Sequence, residues 1–137
     1  MRAPSLDLPT LRLATLRRAL AASPAPLVFE LDTPLALVEE ALWDLPRAKI
    51  VLVDHDGALR GVLAVPDLPT ARDRSARAAT AMVTAIVVLE PEQDVEAALA
   101  ALHFHHADYV VVALAGELLG VLARAELEHA AQPRRAA

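Results

Sequence analysis

The chain has 137 residues, the size of one compact domain, of which 55% are apolar, 23% charged and only 3% aromatic. Those proportions exclude a disordered chain and require a core of Leu, Val, Ile and Ala. No cysteine is present, which excludes disulfides, thiolate zinc sites and thiol nucleophiles, and a net charge of −5 has the wrong sign for a general nucleic-acid binder. The longest apolar runs, residues 81–89 and 109–115, are far shorter than the roughly 20 residues of a spanning helix. Asp7, Pro9 and Arg12 interrupt the leucines near the start, so neither a membrane span nor a signal peptide is expected. The Ala/Leu/Arg/Pro bias points to a GC-rich bacterial genome, and the whole composition to a cytoplasmic chain.

In chain order, Asp7 or Thr10 caps a first helix that Pro9 helps to start and that runs to about residue 22. Leu13, Leu16 and Leu20 line one side of it, and Arg12, Arg17 and Arg18 the other. Pro24 and Pro26 end it, because the residue before a proline avoids the helical region. A short strand over 27–31 follows, then a helix over 34–45 capped by Asp32 or Thr33 and stopped by Pro46. Residues 50–53 form a buried strand, Asp56-Gly57 a hairpin turn, and 59–64 the returning strand. An Arg- and Ala-rich linker helix over 70–80 leads to a strand over 83–89 and a helix from about 94 to 105. A strand over 109–114, a turn at Ala115-Gly116-Glu117 and a strand over 118–123 complete the second half. A last helix starts near Arg124 and frays at Gln132-Pro133.

The order strand, helix, strand, turn, strand, helix thus occurs twice. Gly57 and Gly116 stand 59 positions apart, and Gly61/Gly120, Asp67/Glu126 and Ile50/Tyr109 share that offset. Gly61-Val62-Leu63-Ala64 repeats as Gly120-Val121-Leu122-Ala123, and Leu68 as Leu127. A match of that length, in phase with the elements, indicates an internal duplication.

Leu31-Asp32-Thr33-Pro34-Leu35, Val51-Leu52-Val53-Asp54, Asp56-Gly57 and the stretch from Gly61 to Asp67-Leu68 follow the order of a cystathionine-β-synthase-type (CBS) motif. Met82-Val83-Thr84, Val88-Leu89-Glu90-Pro91, Val110-Val111-Val112, Gly116 and the stretch from Gly120 to Leu127 follow it a second time. Over about residues 25–130 the chain therefore resembles a tandem CBS pair, or Bateman module. The resemblance implies an α/β (α+β) fold of two βαββα repeats about a pseudo-twofold axis, with an extra N-terminal helix. It divides the chain into a helix over 1–24, repeat 1 over 25–68, a linker helix over 69–81, repeat 2 over 82–130 and a tail over 131–137.

The resemblance also implies a stand-alone regulatory role and no catalysis. An adenosyl ligand (AMP, ADP, ATP, NAD or S-adenosylmethionine) would sit in a cleft between repeats, its occupancy passed to a protein partner. Asp67 matches the ribose-binding carboxylate, and Glu126, one methylene longer, takes its place in the second copy. The family's ribose- or phosphate-binding Thr/Ser is Ala64 in one copy and Ala123 in the other. Val28, Ala48 and Ile50 would border the adenine in the first copy, and Ile86, Ala107 and Tyr109 in the second. Lys49, Arg60, Arg72 or Arg124 would reach phosphates, while Asp108 stands opposite Lys49 at the common offset. The alternative is a ligand-free interaction module acting as a homodimer. Its helix faces would be Leu37, Ala41 and Trp43 against Ala98 and Leu102.

Other clusters favour structural roles. His103 and His106 share a helix face, but no carboxylate or cysteine completes a metal site, and the stretch suits a helix C-terminus. Glu39-Glu40 and Asp54/Asp56 read as helix surface and turn, Arg72, Arg74 and Arg77 as a solvated linker face, and Trp43 and Tyr109 as core or interface anchors.

Overall fold

The computed structural model describes residues 14–63 and 76–132. Helix α1 spans Leu16–Leu20, followed by β1 (Leu27–Glu30), α2 (Leu35–Asp44), β2 (Ile50–Val53) and β3 (Leu59–Leu63). A 3₁₀ turn at Ala78–Ala81 runs into β4 (Met82–Val83). Then come β5 (Ile86–Leu89), α3 (Val95–His105), β6 (Tyr109–Leu114), β7 (Glu117–Ala123) and α4 (Arg124–Ala131). The strands make two sheets, ordered β1-β2-β3-β4 and β5-β6-β7. In each sheet the first strand runs parallel to the second, across a helix, and the second antiparallel to the third. This is the duplicated α+β fold that the sequence implies.

Apolar periodicity decides which face each element buries. Leu35, Val38 and Leu42, spaced by three and four, put one stripe of α2 over Ile50, Leu52 and Leu63. Val95, Ala98 and Leu102 put the matching stripe of α3 over Val110, Val112 and Leu122. The intervening strand residues point the other way, and Val51, Val62, Val111 and Val121 meet between the two sheets. All four are buried to within 1% of their surface, so each contributes on the order of 1.5–3 kcal/mol of hydrophobic stabilisation. Ala98 and Leu102 lie in the core at 0% exposure, which corrects their expected place on a dimer face.

The segment ahead of each repeat packs on the other repeat. Ala78 donates its N–H to the Thr33 carbonyl (2.7 Å), and Leu35 donates to Ala76 (2.8 Å). On the other side Leu16 donates to Gln93 (2.9 Å), and Val95 to Ala14 (2.8 Å). This matched exchange gives the molecule its pseudo-twofold character. It also explains two departures from the sequence reading. The expected strand over 83–89 is two strands in different sheets, because Met82–Val83 pair with β3 while Ile86–Leu89 pair with β6. Neither Asp32 nor Thr33 caps α2, whose N-cap is Pro34; the Ala76 carbonyl accepts the first free N–H instead. Both strand glycines sit under these crossing segments. A Cβ on Gly61 would lie 2.5 Å from the Val83 carbonyl, and one on Gly120 2.5 Å from the Leu20 methyl carbon.

Strand register revises the repeat alignment. Leu52 pairs with Gly61, and Val112 with Gly120. The offset is therefore 60 through the second strand and returns to 59 in the third, because eight residues separate Leu52 from Gly61 and seven separate Val112 from Gly120. A one-residue slip exchanges the two faces of a strand. Ile50 thus corresponds to Val110, Lys49 to Tyr109, and Val28 to Val88, whereas Asp108 is not the counterpart of Lys49.

Candidate functional site

Glu126 lies in the first turn of α4, where its carboxylate Oε1 accepts the Ala123 N–H at 2.8 Å. This reach-back satisfies one of the orphan donors at the helix start. The same carboxylate meets Lys49, the residue before β2 of the first repeat. Lys49 Nζ lies 2.9 Å from Oε1 and 3.0 Å from Oε2. Ser23, on the segment between α1 and β1, donates its hydroxyl to Oε2 at 3.1 Å and accepts from Lys49 Nζ at 3.3 Å. The Lys49 side chain is 17% exposed and that of Glu126 33%, so the pair is partly shielded from water. Burial alone would raise the Glu126 pKa, but the Ala123 N–H, the Lys49 ammonium and the Ser23 hydroxyl together hold it below the ordinary value.

The structure brings together only some of the residues expected at a ligand site. Ile86 and Tyr109 are register partners and both pack beside the inter-sheet cluster. Val28 lies next to Val51 across the β1–β2 pair and Val88 next to Val111; the inner valines are buried, whereas both outer ones are 51% exposed. The inter-sheet face is therefore closed at its centre and open along the edge strands β1 and β5. Ile50 offers nothing to a cleft, being fully buried on the helix side with Leu35 and Val38. Arg124 is held locally, its Nη2 donating to the Ala107 carbonyl at 2.6 Å and its Nε to Asp108 Oδ1 at 3.4 Å. Ala64, Asp67 and Arg72 lie outside the described residues. Ser23 joins the site although no sequence motif marks it; its place directly before Pro24 is the one local signal of a fixed segment.

Trp43 is 82% exposed on α2, so of its two expected places, core or interface, the core is excluded. Phe104, at the equivalent end of α3, is 77% exposed and stacks edge-on against His105. Among the described residues no group of three or more His, Cys, Asp or Glu side chains is placed to hold a metal ion. No helix among them is long and apolar enough to cross a membrane.

No protein-family model matches this chain, and no curated protein matches it in sequence. Solved structures do match. The CBS domain of a CBS-domain-containing membrane protein from Sphaerobacter thermophilus superposes with a TM-score of 0.72 at 18% identity, over 95% of this chain and 94% of that one. A CBS-domain-containing protein from Agrobacterium tumefaciens gives 0.67 at 17% identity, over 86% and 94%. The cytosolic domain of the Mg2+ channel MgtE, determined in complex with ATP, gives 0.59 at 22% identity, over 85% of this chain and 46% of that one. Two βαββ units joined through their sheets, each covered by the other's leading segment, and these superpositions lead to one conclusion: the chain has the fold of a tandem CBS-domain pair.

Proposed function

We propose that this chain is a regulatory module that binds an adenosyl ligand in a cleft between its repeats and passes occupancy to a partner protein. The observation that carries the proposal is the half-open inter-sheet face. Val28 and Val88 present apolar edge-strand surface beside a closed core, suited to the flat face of a purine. The ATP complex of the MgtE domain, which shares the fold, supports the same ligand class. AMP, ADP, ATP, NAD and S-adenosylmethionine all carry the ribose diol that a carboxylate accepts well. A ligand of this kind regulates only if it binds one conformation better than another.

A thermal-shift panel of those five compounds tests the reading. A true ligand at about 100 times its dissociation constant adds roughly 2.7 kcal/mol of stability. Calorimetry then separates the clefts. Asp67→Ala removes two hydrogen bonds of about 0.5–1.5 kcal/mol each and weakens binding roughly tenfold or more, while Glu126→Ala leaves the affinity unchanged. Equal affinity in Asp67→Ala and the parent chain refutes the assignment.

A second reading, a ligand-free module that works as a homodimer, is favoured by the engagement of Glu126 with Lys49 and by alanine at positions 64 and 123. A silent panel together with a dimer in sedimentation selects it.

A further inference from the structure

We infer that Lys49, Ser23 and Glu126 form an internal latch that takes the place of a ligand at the second repeat's carboxylate. A carboxylate offers about four acceptor positions. Glu126 fills them with two approaches of the Lys49 ammonium, the Ser23 hydroxyl and the Ala123 N–H, all between 2.8 and 3.1 Å. A ribose diol arriving here finds no free lone pair unless Lys49 or Ser23 withdraws. Withdrawal leaves a largely covered ammonium unpaired, which is costly.

The three side chains come from three places in the chain. Lys49 precedes β2 of the first repeat, Glu126 opens α4 of the second, and Ser23 belongs to the segment that leads from α1 on the second repeat to β1 of the first. The latch therefore fastens both repeats and the N-terminal crossing to one point. Among the described residues, the strand position equivalent to Lys49 is Tyr109, which carries no cation, so the second strand position cannot repeat this ion pair. The two clefts are thus unequal for a reason independent of the length difference between Asp67 and Glu126. The displacement of a ligand rests on the adenosyl reading above, whereas the fastening of the two repeats does not.

The test uses the full chain and exploits Lys49 being its sole lysine. Urea unfolding of Lys49→Met, Glu126→Gln and the double variant forms a thermodynamic cycle. Gln is chosen because its carbonyl still accepts the Ala123 N–H. Each single substitution should lower the folding equilibrium constant about tenfold, and the double variant no further than the worse single. Effects that add to within about twofold overturn the latch. Should either single variant fail to fold, lysine-selective ¹⁵N labelling of the parent chain and Ser23→Ala decides instead. A latched ammonium gives one protected NH₃⁺ signal that weakens in Ser23→Ala; a signal exchanging as freely as an exposed lysine's overturns it.

Discussion

Glu126 sits where its environment pulls its pKa both ways, and the lowering contacts win. The folded chain therefore holds this carboxylate ionised to lower pH than the unfolded chain, whose value is the ordinary 4.5. The sign follows from proton linkage: the stabilisation is complete well above pH 4.5 and is lost as pH falls through the lower folded value. Urea midpoints of the parent chain and Glu126→Gln should converge as pH drops from 7 towards 3; a constant gap contradicts this. A second residue-scale feature is Ala115, at φ 52° beside Gly116 at φ 82° in a two-residue hairpin loop. Two positive φ values define a type I′ turn, which favours Asn-Gly over Ala-Gly. Ala115→Asn should raise stability by about 0.5–1 kcal/mol, measured as a higher thermal midpoint.

At the scale of elements, α1 has only five residues and cannot hold itself together. Packing does so. Leu16 is fully buried among Val95, Ala98 and Leu127, while Leu20 covers Gly120 and Arg17 pairs with Glu92 at 2.7 Å. The exposed Arg17–Glu92 pair contributes little, so the anchor is apolar. Leu16→Ala should cost about 2–5 kcal/mol, read from urea unfolding, and Arg17→Ala well under 1 kcal/mol. Equal effects would mean that α1 is held by charge. The 3₁₀ turn at Ala78–Ala81 fills the equivalent place on the first repeat with a smaller side chain, Ala78, also fully buried. The pseudo-symmetry is thus one of backbone path and not of side-chain volume.

For the whole molecule, Trp43 and Phe104 form exposed apolar points at the C-terminal ends of equivalent helices, and Leu37 and Leu45 of the first repeat are each 51% exposed. An exposed apolar point of this kind suits a second copy of the chain, since a dyad places a patch against its own copy. We expect a homodimer at tens of micromolar in sedimentation. Trp43→Arg should weaken it about thirtyfold or more, the effect of losing roughly 2 kcal/mol at an interface centre. A monomer in the parent chain, or a dimer indifferent to Trp43, removes this surface from consideration.

Much of this architecture was legible in the residues. Duplication showed in Gly57/Gly116 and Gly61/Gly120, and the element order in apolar periodicity, because local turn chemistry and strand alternation are written in short stretches of chain. Glu126 stood out at the second motif's carboxylate position, but nothing near it in the chain marked Lys49 and Ser23 as its partners. The register of the second strand was not: the glycines fix an offset of 59, yet pairing places Val51 opposite Val62 and Val111 opposite Val121. One residue fewer between the paired positions Val112 and Gly120 than between Leu52 and Gly61 shifts the phase without leaving a mark on the motif. Nor did the sequence show Met82–Val83 joining the first sheet, or Lys49, Ser23 and Glu126 meeting across intervals of 26, 77 and 103 positions. Long-range contacts of that kind depend on which faces the two sheets bury against each other, and only the assembled core decides that.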